Sequence, residues 1–377
     1  MKENQIMKLI FSGNTAWSMY NFRRQIFQHC INKGHKVYVI APQDNIFDNK
    51  LRAMGCQFIP VQLKRKGTNP LQDIKLCREY YRIFKQIHPD GCFSYTIKPN
   101  IYGSIAASML HIPYIPITTG LGYIFNTKSL VSIIAKGLYK IAFKKAPQVW
   151  FLNQEDINSF VSNQIIPASK AQLLRGEGID LSHFIINDKE EDGKISFILI
   201  ARMLWDKGVG IFVDAAKLLK TKYPNVDFLL LGKIDTNNPM GIPQSKLEEW
   251  DKQNIIKFLG ETEDVRPYIN RSTCVVLPSF YREGIPLCLM EGAASGKPII
   301  TTNNTGCKEV VEDGYNGFLC KTRNVESLVS AMEKIIKLSP EERKQMGRNG
   351  RKKMQKEFDM NLIVKEYDNA ITKFENK

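Results

Sequence analysis

Two glutamates with seven residues between them are the first feature that could do chemistry. They lie in Pro278-Ser279-Phe280-Tyr281-Arg282-Glu283-Gly284-Ile285-Pro286-Leu287-Cys288-Leu289-Met290-Glu291-Gly292, directly after the apolar run Cys274–Leu277. Gly284 lets a ligand approach the backbone, and Pro286 suits the first turn of a helix. The unpaired N–H groups of such a helix start favour an anion such as a diphosphate. Glu283 precedes the helix and can reach a substrate group. Glu291 lies further along and can accept hydrogen bonds from two vicinal hydroxyls, as on a ribose. Taken alone, the pair fits equally well a helix N-terminal acid and a solvated surface glutamate.

A second block reads Ala201-Arg202-Met203-Leu204-Trp205-Asp206-Lys207-Gly208. Arg202 ends an apolar strand and Lys207 stands just before a helix. Together they form a two-point cationic clamp that can stabilise the negative charge on a departing diphosphate. Two solvated surface cations are the alternative. A third block, Thr301-Thr302-Asn303-Asn304-Thr305-Gly306-Cys307-Lys308-Glu309-Val310, reads as strand, polar glycine loop and short helix, with Glu309 either facing the cleft or, the better reading, supporting the loop.

These blocks need a scaffold. Short apolar runs alternate with longer helical patterns along the whole chain, which predicts βαβ units with parallel strands covered on both faces. The expected strands of the first half are Lys8–Ser12, Lys36–Ile40, Gln57–Val61, Gly91–Tyr95, Tyr114–Thr118, Gln148–Leu152 and Gln172–Leu174. Those of the second are Ser196–Ala201, Val226–Leu231, Ile256–Leu259, Cys274–Leu277, Pro298–Thr302 and Gly317–Leu319. The fold class is therefore α/β, with two tandem Rossmann-like doubly wound domains facing across a cleft. The expected domains are 1–187 and 188–359, separated by the polar linker 187–193. The helical pattern of 360–377 has nothing left to complete in its own domain and is expected to pack back on the first. Ligands in such sheets bind beyond the carboxyl ends of the strands, where all three blocks lie.

In this order and on these elements, the blocks resemble glycosyltransferase family 4. These are retaining enzymes of the GT-B fold that use nucleotide-sugars. The resemblance runs from Ala201 through Asp313-Gly314-Tyr315-Asn316-Gly317-Phe318-Leu319. It implies that Arg202 and Lys207 hold the donor diphosphate, Glu291 takes the ribose hydroxyls, and Glu283 contacts the transferred sugar. Gly284, Ile285, Pro286 and Leu287 would supply backbone contacts to sugar and phosphate. Two departures stand out. Glu291 is followed by Gly292 where many relatives have Ala. Leu231-Gly232 runs into Lys233-Ile234-Asp235 where many have a Gly-x-Gly-Pro loop that frames the base.

In the first half, Gly13 and Asn14 occupy the family's first-loop position, which faces donor and acceptor. Thr118-Thr119-Gly120-Leu121-Gly122 lies where many relatives have a cleft histidine. With Thr119, Gly120 and Gly122 in that place, the chain looks like the branch that builds bacterial lipid-linked oligosaccharides. That branch implies transfer of a hexose or N-acetylhexosamine, N-acetylgalactosamine first among them, from a UDP-sugar to an undecaprenyl-diphosphate saccharide. It also implies no cofactor and no metal, since the departing phosphate oxygen takes the acceptor proton and the cation clamp replaces a divalent ion. A UDP-sugar epimerase, a phosphorylase or a non-catalytic nucleotide-sugar binder on the same fold are the rival readings.

Composition narrows the partners. The 377 residues carry a net charge of +15. Residues 1–187 hold 23 Lys and Arg against 10 Asp and Glu, and residues 188–377 hold 30 against 28. The excess is thus in the acceptor-side half. There, Lys136, Lys140, Lys144 and Lys145 punctuate an apolar helical pattern suited to an anionic membrane surface. Arg23, Arg24, Lys64, Arg65, Lys66, Arg78, Arg82 and Lys85 add to the charge. Nothing resembles a nucleic-acid module. The eight cysteines form no CxxC pair, and the five histidines show no ligand spacing. They read as reduced core thiols and no metal site. Residues 99–127 lack charge but are broken by Pro113, Pro116, Gly120 and Gly122. The expectation is a cytoplasmic protein, peripheral on the inner face of the plasma membrane.

Overall fold

A computed structural model describes residues 5–64, 69–121, 129–187 and 194–375. The chain divides into two compact units, Met1–Gly178 with Met360–Lys377, and Ile179–Asp359.

The first unit is built on β1 (Lys8–Ser12), β2 (Lys36–Ala41), β3 (Gln57–Pro60), β4 (Gly91–Tyr95), β5 (Tyr114–Thr118), β6 (Val149–Phe151) and β7 (Ala171–Leu173). All pairings are parallel, in the order β3-β2-β1-β4-β5-β6-β7. Its helices are α1 (Ala16–Asn32), α2 (Phe47–Ala53), α3 (Pro70–Ile87), α4 (Ser104–Met109), α5 (Leu130–Phe143) and α6 (Gln154–Ser162). Side chains alternate across the sheet, as the pleat demands. Leu9, Phe11, Val37 and Val39 enter one apolar layer, while Ile10 and Ile40 enter the other. Helix starts are set locally. Thr15, Asn69, Ser129 and Asn153 each accept a backbone N–H of the first turn of α1, α3, α5 and α6.

The second unit has β8 (Ser196–Ile200), β9 (Asp227–Leu231), β10 (Lys257–Phe258), β11 (Cys274–Leu277), β12 (Ile299–Thr302) and β13 (Gly317–Cys320). They are again all parallel, in the order β10-β9-β8-β11-β12-β13. Around them lie α7 (Val209–Lys222), α8 (Gln244–Lys252), α9 (Arg266–Asn270), α10 (Leu287–Ala294), α11 (Val325–Lys337) and α12 (Pro340–Lys353). The chain then returns as α13 (Met360–Glu375), which completes the first unit. Its Tyr367 ring lies 5.0 Å from Phe93 and 5.1 Å from Trp150, and the Tyr367 and Tyr95 hydroxyls are 2.7 Å apart.

The division falls earlier than the polar segment 187–193 expected from composition. Ile179 N–H donates to Phe358 O at 2.8 Å, and Ile179 and Phe184 are buried in the second unit's core. The Arg351 guanidinium secures the same stretch, donating to the carbonyls of Leu181 (2.8 Å) and Phe184. Residues 179–187 are therefore anchored to the second sheet by apolar contacts and backbone acceptors, which polarity alone does not reveal.

Candidate active site

Strand order reverses direction between β8 and β11, which are hydrogen-bonded neighbours although far apart in sequence. The loops leaving the carboxyl ends at such a switch point are the usual ligand position of doubly wound sheets. The β8 loop carries Arg202 and Lys207; the β11 loop carries Glu283. Topology thus brings the first two sequence blocks together.

The two loops are in direct contact. Gly208 sits at φ +80°, and a Cβ there would fall 2.1 Å from Pro278 O. The Asp206 carbonyl accepts the N–H groups of Phe280 (3.0 Å) and Tyr281 (3.1 Å). The Lys207 ammonium bonds the Glu283 carboxylate and lies 5.3 Å from the Tyr281 ring centroid. Ser279 Oγ lies 2.9 Å from the same Glu283 oxygen. Burial works against the Lys207 charge, but the Glu283 carboxylate outweighs it and holds Lys207 above the ordinary lysine range. Lys207 is therefore firmly cationic.

Arg202 is exposed, and its guanidinium donates to Asp235 Oδ2 at 3.0 Å. Asp235 belongs to the loop after β9, the one that departs from the family pattern. Glu291 lies on α10, and burial, with a smaller push from the Asp264 charge, raises its carboxyl to about 7. Pro286 is not in the first helical turn as expected. It is the residue before it, with ψ 121°, and α10 begins at Leu287. An extended ψ there aims the chain into the helix while Gly284 and Ile285 remain in the loop.

The third block supports the β11 loop. Thr301 Oγ1 donates to Leu277 O (2.7 Å), Thr302 Oγ1 to Ser279 O (2.5 Å), and Asn304 Nδ2 to Tyr281 O (2.7 Å). Gly306, at φ +79°, passes so close that a Cβ would meet Gly284 O at 2.0 Å. Residues 305–310 form hydrogen-bonded turns where a short helix was expected. Ser279, Asp235, Thr301 and Thr302 were not singled out by sequence reasoning. Their partners come from neighbouring strands and loops, so no local spacing marks them. Glu261 and Glu263 lie in the loop before α9. Among the described residues no group of three or more His, Cys, Asp or Glu is gathered as for a metal ion.

In the first unit, Gly13 N–H donates to Ile40 O at 2.9 Å, and Asn14 is half-buried beside it. Thr119 and Gly120 (φ +119°) follow β5. The loops after β1 and β5 share the carboxyl edge of the sheet and flank the loop after β4. Gly122 lies outside the described residues. All eight cysteines are free thiols, six of them buried.

The expected set of surface cations needs two corrections. Arg23 is buried: it bonds Glu177, and its guanidinium carbon lies 3.8 Å from the Tyr95 ring centroid. Lys136 is half-buried, with its ammonium donating to Asn163 Oδ1 at 2.9 Å. Lys140, Lys144 and Lys145 are exposed, whereas Arg65 and Lys66 lie outside the described residues. Among the described residues no helix is long and apolar enough to cross a membrane.

Two family models match the chain: "Glycosyl transferases group 1" over residues 183–353 and "Glycosyl transferase 4-like" over residues 8–153. The chain is 30% identical over 96% of its length, and 97% of the other protein, to the N,N'-diacetylbacillosaminyl-diphospho-undecaprenol alpha-1,3-N-acetylgalactosaminyltransferase of Campylobacter jejuni. It is 24% identical over 78% of its length, and 77% of the other protein, to an Escherichia coli UDP-Gal:alpha-D-GlcNAc-diphosphoundecaprenol alpha-1,3-galactosyltransferase. Among solved structures, Anabaena HepE in complex with UDP superposes with a TM-score of 0.81 at 17% identity, over 97% of this chain and 100% of that one. A glycosyltransferase from Rickettsia africae superposes with 0.80 at 17% identity, over 98% and 99%. At those identities the likeness speaks for the GT-B fold.

Proposed function

The chain belongs to the family-4 glycosyltransferases, and from that premise we propose that it transfers N-acetylgalactosamine from a UDP-sugar to a saccharide on undecaprenyl diphosphate. The acceptor and sugar are those named for the Campylobacter relative, which matches along nearly the whole chain. The E. coli relative supports the same acceptor class with a different sugar.

The observation that carries the reading is the Lys207–Glu283–Ser279 cluster at the β8/β11 switch point, with Arg202 on the same loop. In this reading Lys207, Arg202 and the N–H groups at the start of α10 face the donor diphosphate. Glu283 takes the hydroxyls of the transferred sugar, with Gly284, Ile285, Pro286 and Leu287 lining its path, and Glu291 takes those of the ribose. As the anomeric C–O bond to UDP breaks, negative charge grows on the leaving phosphate, and the two cations offset it. The acceptor hydroxyl attacks from the same face and gives its proton to the departing phosphate oxygen, so configuration is retained and no protein base is needed. The clamp fills the role a divalent ion plays elsewhere, so transfer proceeds without added metal. The basic first unit, with Gly13, Asn14, Thr119 and Gly120 at its strand ends, receives the lipid-linked acceptor at the inner face of the plasma membrane.

The test is a panel of UDP-sugars with and without an undecaprenyl-diphosphate sugar, read by the mass of the lipid product. Gain of one N-acetylhexosamine, only when acceptor is present and lost in Glu283→Gln, is the expected result. Release of free sugar and UDP without acceptor, or dependence on inorganic phosphate, overturns the reading.

A further inference from the structure

Helix α5 is apolar on both sides. Ser132, Ala135, Tyr139, Ala142 and Phe143 form its buried face and already satisfy its packing on the first unit. The opposite face carries Leu130, Val131, Ile133, Ile134 and Ile141, with Leu130, Ile133 and Ile141 at 72%, 64% and 65% exposure. A surface helix normally turns a polar face away from the core, opposite its buried stripe. Each such side chain forgoes roughly 1.5–3 kcal/mol by staying in water. A contiguous apolar face of this kind marks an interaction surface.

The charges around it indicate the partner. Leu130, Ile134 and Ile141 run along the centre of the exposed face. Lys140 and Lys144, four residues apart and exposed, border it on one edge, and Lys145 follows the helix end. No Asp or Glu occurs from residue 91 to residue 154. We infer that α5 lies in the plane of an anionic bilayer, with Leu130, Ile134 and Ile141 inserted among the acyl chains and the lysines at the headgroups. The lysines therefore border the docking face, and its centre is apolar. The inference deepens the membrane-bound acceptor reading and rests on it for its purpose, though not for its measurement. A second copy of this chain is the poorer occupant, because a self-complementary contact through this face brings two sets of lysines and no Asp or Glu to pair with them. For the bilayer, each lysine near the anionic surface contributes about 1 kcal/mol, and that share is screened by salt. Insertion of the apolar side chains is not.

The experiment is co-sedimentation of the full chain, without sugar donor, with phosphatidylcholine vesicles and with vesicles enriched in phosphatidylglycerol. Wild type is expected to prefer the anionic vesicles and to stay partly bound at high salt. Ile134→Gln with Ile141→Gln is expected to lose about tenfold in partition and to be fully eluted by salt. Lys140→Gln with Lys144→Gln is expected to lose the lipid preference but keep the salt-resistant share. Unchanged thermal unfolding and UDP binding would show that both variants are folded. The inference is overturned if the isoleucine variant partitions like wild type. It is also overturned if wild type ignores anionic vesicles, or if the isoleucine variant abolishes self-association while leaving vesicle binding intact. Transfer activity on a detergent-solubilised acceptor is measured separately, so a failed insertion and a failed acceptor assignment give different results.

Discussion

Lys207 and Glu283 sit where neither charge would be comfortable alone, with side chains only 15% and 10% exposed. Lys207→Ala is expected to lower kcat by about 10²–10³, the usual loss when a charge-stabilising group is removed. It also leaves Glu283 buried without its counter-charge, which costs about 3 kcal/mol and shows as a lower Tm. Lys207→Met with Glu283→Gln removes both charges and is expected to regain much of that Tm without regaining transfer. If Tm and activity recover together, the pair is only structural. Glu291 gives a second handle. Burial raises its carboxyl to about 7, and in the proposed mechanism the ionised carboxylate accepts from both ribose hydroxyls. UDP affinity should therefore rise as pH passes upward through 7 and be about tenfold weaker at pH 6 than on the plateau. Calorimetric titration of UDP at several pH values checks this, and Glu291→Gln should flatten the profile.

At the scale of elements, the site depends on loops held within a few ångströms of one another by glycines. Gly306→Ala drives a Cβ into Gly284 O and forces a left-handed alanine, whereas Gly314, at φ +77°, has open space around it. Gly314→Ala is expected to cost only the backbone strain, about 1–2 kcal/mol. Gly306→Ala should cost more and also weaken UDP binding, since the clash displaces the Glu283–Gly284 backbone. Equal UDP affinity in the two variants would separate Gly306 from the site. The strands themselves were legible because central parallel strands are near-continuous apolar runs. Gly91–Tyr95, Tyr114–Thr118 and Cys274–Leu277 appear with the ends read from sequence. The edge strand β10 shrinks to Lys257–Phe258, and residues 305–310 are turns, because both depend on neighbours more than on local pattern.

For the whole molecule, the returning helix α13 is decisive. It brings Tyr367 and Phe374 against Phe93, and Gly91 has no room for a Cβ beside Phe374. Tyr367→Ala is expected to destabilise the first unit by about 3–5 kcal/mol, as large aromatic truncations in cores do. Differential scanning calorimetry should show this as a fall in one transition, with UDP binding preserved below it. A fall in UDP binding with unchanged unfolding would contradict the assignment of α13 to the first core. The division also sharpens the charge split. The first unit holds 26 Lys and Arg against 12 Asp and Glu, and the second 27 against 26. The second unit is thus nearly neutral, and in the proposed mechanism the donor diphosphate it binds is met by two placed cations.

The sequence alone determined the α/β class, most strand ends, the Glu283/Glu291 and Arg202/Lys207 blocks and the basic first half. Each of these follows from apolar periodicity, residue type or simple counting, all of which are local. Tertiary structure decided what depends on neighbours far apart in the chain. It set β8 beside β11, paired Lys207 with Glu283 and Arg202 with Asp235, and buried Arg23 against Glu177. It also turned one side of α5 outward with isoleucines exposed. The isoleucines are in the sequence, but which side of a helix meets the core is settled only by the sheet it packs on.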